Sequence, residues 1–314
     1  RVDHVGSLLC PLELIEALVP LTRSQLGSVE PRTDEELSEL PKITADSIQA
    51  VLTKQIEEGV TTISSDEDER TTLFDGMFEA LSRVEQRRFS WDASHSGLPT
   101  NRPLKKCAYV DDWPFLRSCL PVERWKDPKM TMPPPTWEFN QLTKAYTADS
   151  GYAPDKDHLT DVANAMRGEI LDLYDNGLPK VQIGDPNLAS FCDESWTNSL
   201  RDRRTDIEKW LGLNVHPHNC LLRDLPEDLK IGLRIYWCSY PKGYEKIAAK
   251  LFREMEYKIF YLGFDSPHGG DFGLPKHIPP SKAVVLGVVG TKEADLEDLS
   301  RTKERVLSAV ELIC

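Results

Sequence analysis

The sequence has few cysteines, no long apolar segment and no excess of basic residues. Its seven cysteines are dispersed and form no Cys-x-x-Cys pair, which is typical of reduced thiols in a cytoplasmic protein. No segment approaches the roughly 18 apolar residues of a membrane span, and the first residues given show no basic-then-apolar pattern typical of a signal peptide. Lysine and arginine number 38 against 51 acidic residues, a net charge of −13. That charge argues against nucleic acid or an anionic membrane as partner, because both require a basic surface.

What the sequence does contain is an ordinary globular composition. The 314 residues are 40% hydrophobic and 28% charged, which is enough apolar material for a sizeable core. The chain begins at Arg1 without a methionine, and we expect a few residues to precede it. These observations predict an acidic intracellular protein and favour an enzyme, without indicating an oligomeric state.

Short apolar runs alternate with longer amphipathic segments. The predicted strands are Thr61–Ser64, Lys129–Met132, Lys180–Ile183, Lys230–Tyr236, Lys258–Phe264 and Ala283–Val289. The predicted helices are Thr44–Glu58, Asp157–Asn176, Glu194–Leu211, Gly243–Met255 and Leu296–Ile313. Such alternation favours a parallel sheet and, over this length, an α/β fold with a single (β/α)8 barrel spanning residues 1–314. The alternation breaks over roughly 70–128, where we predict a helical insertion with an antiparallel pair near Phe89–Trp91 and Leu104–Asp111.

Acidic and aromatic residues follow several predicted strands, at the positions where barrel enzymes hold their chemistry. Glu67, Asp185 and Asp265 predict general acid/base catalysis, although an acid at a strand end can also cap the following helix. The residues predicted to contact substrate are His4, Trp137, Arg234, Trp237, Cys238 and His268. For the tryptophans the alternative is an aromatic core, and for His268 it is an exposed loop.

The segment His216–Cys220 holds three potential metal ligands. Pro217 and the lack of a distant partner ligand weaken a metal site there. We therefore expect a surface turn in the connection before the Lys230–Tyr236 strand.

Six segments together resemble one family. They read HVGSLL (4–9), MTMPPPT (130–136), VQIGDPNLASFCDE (181–194), FYLGFD (260–265), GGDFG (269–273) and VVLGVVGTK (284–292). In this order they resemble the C-terminal barrel of cobalamin-independent methionine synthases, most of all the short, single-barrel, fungal-type members. The resemblance covers essentially the whole chain and implies a barrel of the kind shared with uroporphyrinogen decarboxylase.

The family's zinc ligands are replaced in this sequence. The resemblance implies a His-x-Cys pair on one strand, a Glu on the next and a Cys near the C-terminus. Here Arg234 and Tyr236 stand at the His and Cys positions, Gly263 stands at the Glu position, and the last Cys would follow Cys314. Arginine stays protonated and glycine has no side chain, so neither can bind zinc. We expect a protein without metal or cofactor.

Glu67 is the one residue that this sequence retains from a family motif whose other residues are replaced. Losing zinc would leave a larger, more aromatic cavity, and burial raises a carboxyl pKa, so Glu67 is predicted as general acid. Asp265 or Asp185 is its predicted partner or base, and the Tyr236 hydroxyl is predicted to orient the substrate. The expected reactions are epoxide opening, cyclisation or rearrangement of an apolar small molecule. Metal-free family members in fungal secondary metabolism resemble enzymes that open prenyl-derived epoxides of quinolone alkaloids.

Two other functions remain open. One is a methyltransferase of the same family that acts on a thiol or another acceptor, with a folate or corrinoid as methyl donor. The other is a non-catalytic protein that binds a metabolite. Metal content separates the methyltransferase from the metal-free enzyme, and binding without turnover would favour the non-catalytic protein.

Overall fold

Helix boundaries in this chain are set by capping carboxylates and by glycines with positive φ. Asp193 accepts a hydrogen bond from the backbone N–H of Ser195, and Asp206 accepts two from Glu208 and Lys209, so each carboxylate caps the helix that follows it. Two longer helices end before Gly59 and Gly177, whose φ values of 71° and 92° are left-handed. Glycine adopts that conformation without steric cost, and the chain can leave the helix there.

The computed structural model describes residues 3–6, 8, 10–17, 34–65, 67, 68, 70, 76–78, 109–141, 146, 151, 152, 154–235, 245–264, 277–290 and 296–313. The α-helices are α1 (12–17), α2 (Asp34–Glu57), α3 (Trp113–Ser118), α4 (Trp137–Gln141), α5 (Asp155–Asp175), α6 (Asn187–Ser190), α7 (Glu194–Asp202), α8 (Ile207–Leu222), α9 (Glu245–Glu254) and α10 (Leu299–Ile313). A 3-10 helix covers Val122–Arg124. The strands are β1 (Met130–Met132), β2 (Lys180–Asp185), β3 (Lys230–Ile235), β4 (Ile259–Gly263) and β5 (Ala283–Gly287).

The strands form one sheet in chain order, β1-β2-β3-β4-β5. β3 and β4 are parallel with Arg234 opposite Tyr261, and β4 and β5 are parallel with Gly263 opposite Gly287. Helix α9 lies between β3 and β4 in the chain, as a parallel connection requires. The molecule therefore has an α/β fold with a parallel sheet.

The described chain divides into two compact units, 1–132, 142–152 and 168–181 in the first, and 133–141, 153–167 and 182–314 in the second. In the first unit Trp113, Ile63 and Leu52 are almost fully buried. In the second, α9 covers β4, and the rings of Phe252 and Phe260 meet edge-on at 5.0 Å. No helix in the described ranges combines the length and apolar character needed to cross a membrane.

Most predicted elements are confirmed, with four strands shorter than predicted and β2 two residues longer, but two predictions were wrong. The strand Thr61–Ser64 is a single parallel bridge between Ile63 and Pro128. The helix Glu194–Leu211 is two helices, because Asp206 caps a new helix after a break at 203–206. The predicted antiparallel pair lies mostly outside the described residues, and the described end of that insertion is helical.

Candidate functional site

A buried carboxylate, Asp185, lies at the end of β2. Both it and His218 have 0% exposure. Oδ2 of Asp185 is 3.1 Å from the hydroxyl of Thr136 and 3.0 Å from Nε2 of His218. Oδ1 accepts the backbone N–H of Asn187 at 2.8 Å. The carboxylate thus has three hydrogen-bond partners within the protein.

His218 links this carboxylate to Tyr257. Because a carboxylate only accepts, Nε2 of His218 donates to Asp185, and Nδ1 lies 2.8 Å from the Tyr257 hydroxyl. Complete burial and the charge of Asp185 raise the pKa of Tyr257 well above its usual value. The phenol therefore stays protonated and can donate to Nδ1. The result is a continuous hydrogen-bonded cluster of Thr136, Asp185, His218 and Tyr257, which we call the Asp185 cluster.

The prediction of a surface turn at His216–Cys220 was wrong. These residues belong to α8, which continues through Pro217. Leu211, Val215 and His218 recur at helical spacing and are buried together, a pattern that could have shown the helix in the sequence. His216 lies on another side of the helix, with Nε2 2.8 Å from the Thr160 hydroxyl and 3.4 Å from the Cys220 sulfur. The three potential ligands therefore do not converge on one point.

Glu67 occupies a tight turn after the Ile63 bridge. Its φ is 72°, a left-handed conformation that is uncommon for a residue with a side chain. The N–H of Arg70 donates to the carbonyl of Glu67 at 2.8 Å, and that of Asp68 donates to Ser65 at 3.3 Å. Asp68 and Arg70 are buried, whereas Glu67 is half-exposed.

His4 is held in the first unit by groups of the protein. The N–H of Gly6 donates to Nδ1 at 3.0 Å, so Nε2 carries the proton and donates to the Gln55 side chain at 3.0 Å. Gln55 in turn bonds both the N–H and the carbonyl of Ser64. Burial, followed by the charge of Lys129, lowers the pKa of His4, and the ring is neutral near pH 7. His4 therefore ties the N-terminal segment to the segment that leads to Glu67.

One face of the β3–β5 sheet carries two of the residues predicted to replace zinc ligands. Strand alternation and register place on it Gly232, Arg234, Ile259, Tyr261, Gly263, Ala283, Val285 and Gly287. We call this the Arg234 face. The opposite face carries Leu233 and Phe260, which are fully buried. Arg234, Gly263 and Gly287 are half-exposed, so the Arg234 face is accessible in part.

The Tyr261 ring fills the space above Gly232. A Cβ at Gly232 would lie 2.6 Å from Cε2 of Tyr261 and 3.1 Å from Cβ of Ile259. We expect Gly232→Ala to lower the free energy of unfolding by about 1–3 kcal/mol, because Tyr261 must move within a packed site. Gly212→Ala in α8 is the matched control. A Cβ at Gly212 would have no atom within 4 Å, so this substitution should raise the free energy of unfolding by about 1 kcal/mol. Urea denaturation measures both effects. Equal effects of the two substitutions would contradict this packing.

Acidification is expected to destabilise the fold through His158 on α5. Desolvation by burial lowers the pKa of His158 from 6.5 to about 4. The unfolded chain protonates His158 more readily than the folded chain does. The contribution of the neutral ring to the free energy of unfolding is therefore complete above pH 6.5 and is lost as the pH falls towards 4. A pKa difference of one between the folded and unfolded chains corresponds to about 1.4 kcal/mol. Because the ring is partly exposed the effect is reduced, and we expect the free energy of unfolding to fall by about 2 kcal/mol. Urea denaturation measures the free energy of unfolding at pH 7 and 4.5, and the difference between the two should be smaller in His158→Gln than in the wild type. The same difference in both proteins would exclude His158 as the source of the acid sensitivity.

The remaining predicted site residues are less informative. Trp137 begins α4 directly after Thr136 and is half-exposed. Tyr236, Trp237, Cys238, Asp265 and His268 lie outside the described residues. Within the described ranges, no three His, Cys, Asp or Glu side chains are grouped so that they could hold a metal ion. On the Arg234 face, Arg234 and Gly263 stand at two positions where zinc ligands were expected, and neither side chain can bind zinc.

The parallel sheet with helices between its strands defines an α/β protein, and two solved structures share its fold. One is a candidate vitamin-B12 independent methionine synthase from Listeria monocytogenes, with a TM-score of 0.71 and 23% identity over 99% of this chain and 86% of that one. The other is a B12-independent methionine synthase from Shewanella sp. W3-18-1 in complex with selenomethionine, with a TM-score of 0.66 and 17% identity over 91% and 80%. No family model and no curated protein matches the sequence. The chain therefore has the fold of B12-independent methionine synthases.

Proposed function

We propose that this protein is a divergent, fungal-type relative of the cobalamin-independent methionine synthases that works as an acid/base enzyme without zinc. Its proposed reaction is epoxide opening, cyclisation or rearrangement of an apolar small molecule, such as a prenylated alkaloid intermediate. The observation that carries the proposal is the backbone of Glu67, whose φ of 72° places a half-exposed carboxyl group on a tight turn.

Residues held in a strained backbone conformation cluster at functional sites, which supports a functional role for Glu67. A non-glycine residue in this region costs on the order of 1–3 kcal/mol and persists when the surroundings hold it there. Here the buried residues Asp68 and Arg70 flank Glu67, and the Arg70 guanidinium lies 3.8 Å over the Tyr109 ring. Such fixed neighbours support a carboxyl group with one preferred orientation, as acid catalysis requires.

The Arg234 face supports a reaction that needs no zinc. Arg234 and Gly263 hold two positions that the resemblance assigns to zinc ligands, and neither can bind the metal. These two positions therefore supply no ligand to a zinc ion that would activate a thiol. General acid catalysis needs only one positioned carboxyl group, and Glu67 can supply it.

The proposed step begins with proton transfer from Glu67 to the epoxide oxygen. The adjacent C–O bond breaks, which gives a hydroxyl group and an electron-poor carbon. A nucleophile within the substrate bonds to that carbon and loses its proton to Asp265. Return of this proton to Glu67 restores the enzyme, so the product is an isomer of the substrate. The aromatic side chains of Tyr236, Trp237 and Trp137 are proposed to stabilise the positive charge, by about 0.5–2 kcal/mol.

Asp185 is assigned a positioning role in this proposal. Its carboxylate has 0% exposure and is bonded to Thr136, His218 and the backbone of Asn187. An enclosed carboxylate of this kind can fix the end of β2 and the start of α6, but it does not meet a ligand directly. The role of base is therefore given to Asp265.

The test is turnover of epoxides by the purified protein with and without a chelator. We expect isomerisation of a prenyl-derived epoxide at a rate that the chelator leaves unchanged. Loss of activity with chelator and its recovery with zinc would overturn the proposal.

Methyl transfer is the second candidate, and the similarity of the fold to a candidate and a further B12-independent methionine synthase favours it. It would require a thiol or another acceptor and a methyl donor such as a folate. Zinc-dependent formation of a methylated thiol by this protein would establish it in place of the isomerase.

A further inference from the structure

We propose that helix α10 is a dimerisation surface, on which α10 of a second copy of this chain packs antiparallel with Leu307 at the two-fold axis. The inference does not depend on the proposed reaction. Its basis is an exposed apolar stripe on α10 that carries one cation and one acid at equal distances before and after Leu307.

Helix α10 exposes apolar side chains along one side. Leu299, Leu307 and Val310 are 86%, 54% and 46% exposed, and Leu296, just before the helix, is 95% exposed. At about 100° per residue, the three helical positions and Lys303 fall within an arc of about 80°. We call Leu299, Lys303, Leu307 and Val310 the Leu307 stripe. Apolar groups that are exposed together on one element, rather than scattered singly, mark interaction sites.

Another side of α10 holds the helix to its own chain. Ala309 is fully buried, and the Arg305 side chain donates to the carbonyl of Phe264. At helical spacing both positions lie away from the Leu307 stripe. A contact on the stripe therefore leaves the packing of α10 within the chain unchanged.

The charges on α10 favour a second copy of the chain as the occupant. Lys303 and Glu311 are exposed, four residues before and four residues after Leu307. Neither has an oppositely charged residue three or four positions away, so neither charge is paired along its own helix. With a two-fold axis at Leu307, an antiparallel copy brings Lys303 opposite Glu311 of the partner subunit, and symmetry forms the same pair again on the other side. The stripe is therefore complementary to itself.

The charge of the whole chain disfavours most other contacts between copies. A net charge of −13 makes two copies repel each other, whereas α10 carries three cations and two acids. The 15-residue helix is about 22 Å long, so the contact is small for a protein–protein interface. We therefore expect a reversible dimer with a dissociation constant of about 1–100 μM.

The experiment is sedimentation velocity of the full chain at concentrations below and above this range. We expect a reversible monomer–dimer equilibrium. Leu307→Glu should weaken the dimer by at least about 100-fold, because it brings two carboxylates together at the axis. Val122→Glu is the matched control, because Val122 is an exposed apolar residue outside α10 and its replacement should leave the equilibrium unchanged.

Charge reversal tests the antiparallel arrangement. Lys303→Glu and Glu311→Lys, made singly, should each weaken the dimer by about tenfold, because each places like charges opposite one another. The variant with both changes restores two opposite-charge pairs and should dimerise within about threefold of wild type. A mixture of the two single variants should associate more tightly than either variant alone, because opposite charges then meet between unlike chains.

Each of these measurements can overturn the inference. A wild-type chain that stays monomeric across the range would do so, as would a dimer that Leu307→Glu leaves intact. A double charge reversal that is no tighter than the single ones would exclude the pairing of Lys303 with Glu311. The three substituted positions on α10 are exposed, so the variants should fold. If Leu307→Glu does not fold, the charge reversals and their mixture still decide.

Discussion

Replacing His218 with phenylalanine is expected to lower the free energy of unfolding by about 3–5 kcal/mol. The change removes the donor that lies 3.0 Å from the Asp185 carboxylate and the acceptor that lies 2.8 Å from the Tyr257 hydroxyl. Both groups would stay in a site with no exposure and without these partners. Urea denaturation at pH 7 measures the loss.

Two companion variants make the interpretation specific. His216→Phe changes the same residue type on the same helix, but at a half-exposed position, and we expect a change within about 0.5–1 kcal/mol. Asp185→Asn removes the buried charge and, combined with His218→Phe, should cost less than the sum of the single changes. A small effect of His218→Phe, or strict additivity of the pair, would show that the Asp185 cluster does not act as a unit.

Glu67→Gln is expected to lower kcat by about 10²–10⁴-fold, because general acid catalysis contributes that much. The amide keeps the size of the side chain and removes the proton that the acid donates. The fold should survive, because the side chain is half-exposed and the turn is closed by backbone hydrogen bonds of Glu67 and Ser65. The measurement is single-turnover and steady-state kinetics on an epoxide that the wild type converts.

Glu67→Gly separates chemistry from stability at the same position. Glycine adopts a φ of 72° without steric cost, so this variant should be more stable than wild type by about 1 kcal/mol and equally inactive. Full turnover by Glu67→Gln, with loss of turnover in Asp265→Asn, would reassign the acid to Asp265.

The parallel sheet could be predicted because short strand segments alternate along the chain with amphipathic helical segments. β2 is buried along its whole length although it carries Lys180, Gln182 and Asp185, and its sequence signal is the pair Val181 and Ile183 followed by Gly184. The Ile63 segment carries a similar signal but forms one bridge, because pairing depends on neighbouring strands that a local pattern does not specify. The eight-stranded closure of the barrel remains a prediction.

The Asp185 cluster was missed because Pro217 argued for a turn. Proline disfavours a helix interior, yet the buried face of α8 with Leu211, Val215 and His218 outweighs that local cost. Glu67, by contrast, was singled out from its motif. Its left-handed backbone has no signal in the sequence, since glutamate rarely adopts it.

Metal content is the measurement that tests the central claim most directly. Elemental analysis of the purified, dialysed protein should find zinc far below one ion per chain, because Arg234 and Gly263 cannot supply the donors of a tetrahedral site. Addition of zinc should change neither the unfolding transition nor turnover. About one tightly held zinc per chain, with activity that depends on it, would contradict the account and favour methyl transfer.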